Sequence, residues 1–164
     1  MPLTKLRAFL DENNVKYMLI SHPIAHTAEG IAAKIHIPKR ELAKTVMVLL
    51  DGRLTMAVVP ASTMVGLTKL KRYVGAEVTE LAAESDFRDR FPDCEPGAMP
   101  PFGNLYGLPT YVDNSLAEQD YIVFEAGTHT DAIKMGYRDY EKIVKPEVKD
   151  LAINPARAGT MKGA

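Results

Sequence analysis

The stretch "TVMVLLDGRLTMAVVP", residues 45–60, constrains the fold more than any other part of the chain. Two β-rich apolar runs flank Asp51-Gly52. An Asp-Gly pair supplies the positive φ angles that a two-residue hairpin turn needs, and β-branched residues on either side suit a pleated, half-buried surface. Whatever else the chain does, it must pack around an antiparallel pair.

The remaining segments give helices and further strands. Leu3, Leu6, Phe9 and Leu10 recur at helical spacing, with Asn13-Asn14 as a stop. "VKYMLIS" reads as a strand. "HTAEGIAAKIHIP" reads as a helix with Thr27 as N-cap and Pro38 beyond its end. "KRELAK" is expected to form a short polar helical turn. Helices are expected over 66–73 and 80–90. "LPTYVDNSL", "DYIVFEAG" and "THTDAIKMG" read as three strands, and "YRDYEKIV" as a closing helix ended by Pro146. Irregular alternation with hairpins implies a mixed sheet with packed helices, an α+β domain and not a doubly wound parallel sheet. One domain is expected over 1–150, with 151–164 a tail, loose or docked on a neighbour.

Bulk properties narrow the function. A chain of 164 residues with 46% hydrophobic content can bury a core without staples, and its one cysteine permits no internal disulfide. "MPLTKLRAFLDENN" is amphipathic and unlike a signal peptide, and "VMVLL" is too short to span a bilayer. A cytoplasmic protein is expected. A net charge of −1 excludes whole-molecule attraction to nucleic acid, so any such contact must be a local patch. Lys69, Lys71 and Arg72 read as a solvated helix face, and by pattern alone so do Lys39, Arg40 and Lys44.

The familiar catalytic motifs are missing: no G-x-S-x-G, Walker A loop, dinucleotide fingerprint or H-E-x-x-H occurs. Cys94 is a nucleophile or an ordinary loop thiol. His22 and His26, four apart in "SHPIAH", could share a metal, but Pro23 intervenes and no third ligand suggests itself. As loop histidines they would bond backbone or substrate. His129 in "AGTHTD" is placed at the start of a strand, either orienting a substrate or simply a satisfied polar residue. Lys44, entering the apolar run, could instead anchor a phosphate as a point charge. "CEPGAMPPFGNLYGLP" stiffens and loosens the backbone without offering a reactive side chain. Such a cluster is a connector, or a loop that works through its N–H groups.

The order "HPIAHTAEGIAAKIHIPKRELAKTVMVLLDG", "GAMPP", "AGTHTDAIKM" resembles the YbaK family, the prolyl-tRNA-synthetase-associated or INS-like editing domains, from about Tyr17 to Val144. The resemblance implies a curved mixed sheet, partly closed as a barrel and covered by helices. It implies a free-standing aminoacyl-tRNA deacylase of the kind that acts in trans. Lys44 corresponds to the lysine that holds the terminal adenosine's phosphate. Gly97 and Pro101 correspond to the ends of the G-x-x-x-P loop, and His129 to the histidine that places the aminoacyl group or water. Lys44, Gly97 and His129 are thus the expected catalytic residues. His26, Thr27, Thr45, Ala98, Met99 and Pro101 are the expected substrate-binding ones. Thr45 departs from the alanine-specific members, which carry asparagine there, and looks more like the branch that clears cysteinyl-tRNA.

No metal or cofactor is expected. The expected partners are the acceptor end of an aminoacyl-tRNA and an aminoacyl-tRNA synthetase, with no DNA and no membrane. In this reading the "GAMPP" backbone binds the carbonyl oxygen as charge develops on it. The rival readings are a non-catalytic module that binds a tRNA 3′ end, an aminoacyl group or a small metabolite, and a hydrolase of small non-tRNA esters.

Overall fold

The computed structural model describes residues 3–25 and 27–155. Helix α1 (Thr4–Glu12) buries Leu6 and Leu10, and Asn13 Nδ2 closes it by donating to the Phe9 carbonyl at 2.8 Å. Strand β1 (Tyr17–Ser21) leads to α2 (Ala28–Ile35), whose first turn is capped by Thr27, Oγ1 accepting from the Gly30 N–H at 3.0 Å. The hairpin forms as expected: β2 (Ala43–Leu50) pairs with β3 (Arg53–Pro60) from Ala43↔Pro60 to Leu50↔Arg53. Asp51 and Gly52 have φ of 51° and 80°, the left-handed pair of a type I′ turn. The Asp51 carboxylate also accepts from the Glu77 and Val78 N–H groups, at 3.0 and 2.8 Å, which ties the turn to a distant loop.

Then come β4 (Met64–Val65), α3 (Leu67–Val74), β5 (Thr79–Leu81), α4 (Glu84–Phe87), β6 (Thr110–Asp113), α5 (Asn114–Ala117), β7 (Tyr121–Glu125), β8 (Asp131–Gly136), α6 (Tyr137–Val144), β9 (Glu147–Lys149) and β10 (Ala152–Ile153). The strands make a mixed five-stranded sheet, β5-β2-β3-β6-β9, an antiparallel sheet, β1-β8-β7, and the pair β10-β4. The α+β class is therefore as expected.

The sheets do not close into a barrel. β2 and β7 touch through a parallel bridge, Leu42↔Val123, with the Val123 N–H donating to Glu41 at 2.9 Å. Beyond it β2 turns to pair with β5 from Val48 onward, while β7 stays with β8. The two sheets splay apart at this point.

Local readings fail where a distant partner decides. The helix expected over 80–90 begins instead as β5, because Thr79–Leu81 finds the open edge of β2. "KRELAK" is a turn that enters β2, with Leu42 N–H donating to Lys39 O at 3.2 Å. "NSL" is helical and not strand: the Asp113 carboxylate, at the end of β6, accepts from the Ser115 N–H at 3.1 Å and starts α5. Asp113 also accepts from the N–H groups of Leu151 and Ala152, both at 2.8 Å, and Leu151 is fully buried. Residues 156–164 of the expected tail lie outside the described residues.

Phe102 sits at the centre of the main core, fully buried, with ring centroids 5.4 Å from both Phe124 and Tyr140 and 6.2 Å from Phe9. It directly follows "GAMPP". A residue of this kind contributes about 3–5 kcal/mol when compared with alanine, so the end of the loop is held by the core itself.

Candidate functional site

The splay between β2 and β7 opens a cleft of about 350 Å³. Lys44 and Thr45 line it from β2, Gly97 and Met99 from the loop, and Glu125 and His129 from the end of β7 and the turn after it. Ile31 of α2 and Leu42 give it an apolar side. Lys44 is half-buried on a strand, so the helix-face reading does not hold.

The loop has a definite backbone. Glu95 N–H donates to Gly127 O at 2.8 Å, and Gly127 N–H returns to Ala98 O at 2.9 Å. Gly97 and Gly127 both take positive φ, 85° and 95°, which glycine adopts without strain. The Ala98 N–H is committed to Glu95 O at 3.0 Å. Among the described residues, the N–H groups of Gly97 and Met99 donate to no acceptor. Both residues line the cleft. At the far end, Tyr140 Oη donates to the Pro101 carbonyl at 2.6 Å, fully buried.

His129 lies on the β7–β8 turn and not on a strand; β8 starts only at Asp131. Its Nε2 is 2.8 Å from the Pro96 carbonyl, which can only accept, so Nε2 carries a proton. That bond turns Nδ1 toward Glu125, whose Oε1 is 3.5 Å away. Burial pushes the Glu125 carboxyl up from 4.5 to about 7, against the opposing pull of His129 and with help from the negative charge of Glu95. Glu125 went unrecognised in the sequence. Its only local signal is an acid closing the apolar strand "YIVFE", four residues before His129.

The other expected residues lie elsewhere. Ala98 and Pro101 are buried beneath the loop and not among the residues lining the cleft. Thr27 is occupied in capping α2. His26 lies outside the described residues. His22 is buried, with Nδ1 donating to Pro23 O at 2.8 Å, and no three His, Cys, Asp or Glu side chains converge among the described residues. Burial pushes the Cys94 thiol up to about 11, the wrong direction for a nucleophile, and it rests against Tyr106 Oη at 3.5 Å. Lys69 pairs with Asp150 at 2.9 Å. No helix among the described residues is long and apolar enough to cross a membrane.

The model of the aminoacyl-tRNA editing domain matches residues 22–143. The proline–tRNA ligase of Macrococcus caseolyticus is 27% identical over 161 residues, covering 82% of this chain and 28% of that one. The Leuconostoc mesenteroides proline–tRNA ligase is 32% identical over 118 residues, covering 70% of this chain and 19% of that one. The chain thus spans less than a third of the length of these curated relatives. Among solved structures, a hypothetical protein superposes with a TM-score of 0.82 at 18% identity, covering 91% of this chain and 99% of that one. A protein described as a candidate trans-editing enzyme for prolyl tRNA synthetase gives 0.78 at 19% identity, covering 91% and 95%. At that identity the likeness concerns the fold.

Proposed function

The chain belongs to the aminoacyl-tRNA editing domain family, and from that premise we propose that it hydrolyses, in trans and in the cytoplasm, the ester between a mischarged amino acid and the 3′-terminal adenosine of its tRNA. The observation that carries this reading is the convergence of Lys44, His129 and two uncommitted loop amides on one cleft.

Lys44 takes a phosphate of the terminal adenosine as a point charge and sets the ester in the cleft. The Gly97 and Met99 N–H groups receive the carbonyl oxygen as it becomes negative; such donors are worth roughly 10²–10³ each in rate at comparable sites. The His129 ring borders the aminoacyl group, and a water adds to the carbonyl carbon. The bond from that carbon to the ribose oxygen breaks, the ribose oxygen takes one of the water's protons, and the amino acid leaves as its carboxylate, the second proton passing to solvent. The neighbouring ribose hydroxyl assists that transfer, as the family resemblance implies. An aminoacyl ester is already labile, which fits a site without a nucleophilic side chain.

The test is a panel of charged tRNAs, correct and mischarged, incubated with the protein while loss of the amino acid is followed. Accelerated decay of one species is expected. Tight binding of a charged acceptor end with no acceleration of any species would leave a binding module in its place.

A further inference from the structure

A generic ester and an aminoacyl ester differ in one charge: the α-ammonium, one carbon away from the reacting carbonyl. An anion within reach of that group lets a cleft tell the two apart by a charge-assisted hydrogen bond. Glu125 is the one acid among the described residues lining the cleft. We infer that Glu125 accepts the α-ammonium of the substrate, restricting the cleft to esters of amino acids whose amine is free. The inference rests on the deacylase reading above.

Geometry supports the assignment. The Glu125 carboxylate lies 3.5 Å from His129 Nδ1. A Cβ built on Gly97 would lie 3.6 Å from Cε1 of the same imidazole, the atom bonded to Nδ1. The anion and the loop backbone therefore border adjacent atoms of one ring. In this assignment the aminoacyl group turns its carbonyl oxygen toward the loop and its nitrogen toward Glu125. Its side chain is left facing Ile31 and Leu42.

The surroundings of Glu125 leave a cation wanting. Its side chain is only 16% exposed. Three ionisable groups share its surroundings: His129 from the β7–β8 turn, Glu95 from the loop and Lys44 from β2 across the cleft. Among the described residues, its only ion partner within bonding range is His129, while Glu95 repels it. Burial without sufficient compensation is what holds its carboxyl near 7. An arriving ammonium supplies the missing charge.

The test uses the charged tRNA of the panel that the wild type clears fastest, and the same tRNA after N-acetylation of its amino acid. The wild type is expected to prefer the free amine by roughly 10–100-fold in kcat/KM, the range of a charge-assisted hydrogen bond. Glu125→Gln should lose that factor on the free amine, mainly through KM, and leave the acetylated substrate unchanged. The wild-type KM on the free amine should rise as pH falls through about 7, where Glu125 takes up its proton; Glu125→Gln should show no such rise. Equal clearance of both substrates by the wild type overturns the inference and leaves the deacylase intact. An equal fall on both substrates in Glu125→Gln also overturns it, reducing Glu125 to a support for His129. Clearance of neither by the wild type defeats the deacylase reading, and this one with it.

Discussion

Replacing Glu125 with glutamine should make the protein more stable by an amount that grows as pH rises above about 4.5 and is complete above about 7. Its carboxyl is raised from 4.5 to about 7, so the folded state holds this proton more tightly than the unfolded state. Between those values the native protein binds more protons, and stability must fall as pH rises. Below about 4.5 both states are protonated and the residue imposes no penalty. Above about 7 both are ionised and the penalty is complete. The interval corresponds to about 3 kcal/mol at 1.36 per pKa unit. Glutamine keeps the shape and removes the charge. Urea unfolding across about pH 4.5–8.5 should show wild type and variant nearly equal at the acid end. At the alkaline end the variant should be ahead by about 1.5–3 kcal/mol, or several degrees in Tm for a domain of this size. A constant difference across the range, or a wild type that gains on the variant as pH rises, would refute the reasoning.

Lys44→Ala should stay folded, since its side chain is half-buried at a cleft wall, and should lose most deacylation, roughly 10²-fold, through misplacement of the ester. Unchanged turnover in a folded variant would remove it from the site. Gly97→Val forces a β-branched residue to φ of 85°, which costs about 1–3 kcal/mol, and should cut activity per folded molecule roughly 10²-fold; full activity per folded molecule would leave the loop as a connector. Tyr140→Phe orphans the buried Pro101 carbonyl and should lower stability by about 1–3 kcal/mol in urea melts.

Features carried by adjacent residues were legible in the sequence. Asp51-Gly52 announced its turn, and Thr27 announced the start of α2, because both act within a few residues. β5 was misread because its partner is the edge of β2, some thirty residues earlier in the chain. The loop motif could be read as a motif, but not which of its N–H groups were already bonded. That depends on Gly127, on another hairpin. Glu125 escaped for the same reason. Its position in a cleft follows from the Leu42↔Val123 bridge, a contact between strands that no local pattern encodes.

The mutual bonds between residues 95–98 and 127–129 have a thermodynamic consequence. Glycine loses more conformational entropy on ordering than any other residue, and Gly97 and Gly127 lie in these two segments. Here the ties to the neighbouring hairpin make that loss part of folding and not of binding. A ligand of the cleft then meets a surface already in shape, and its affinity is not eroded by loop ordering. If the chain is the deacylase proposed above, it can hold that affinity in a few contacts and still release its product, because none of them is consumed in arranging the site.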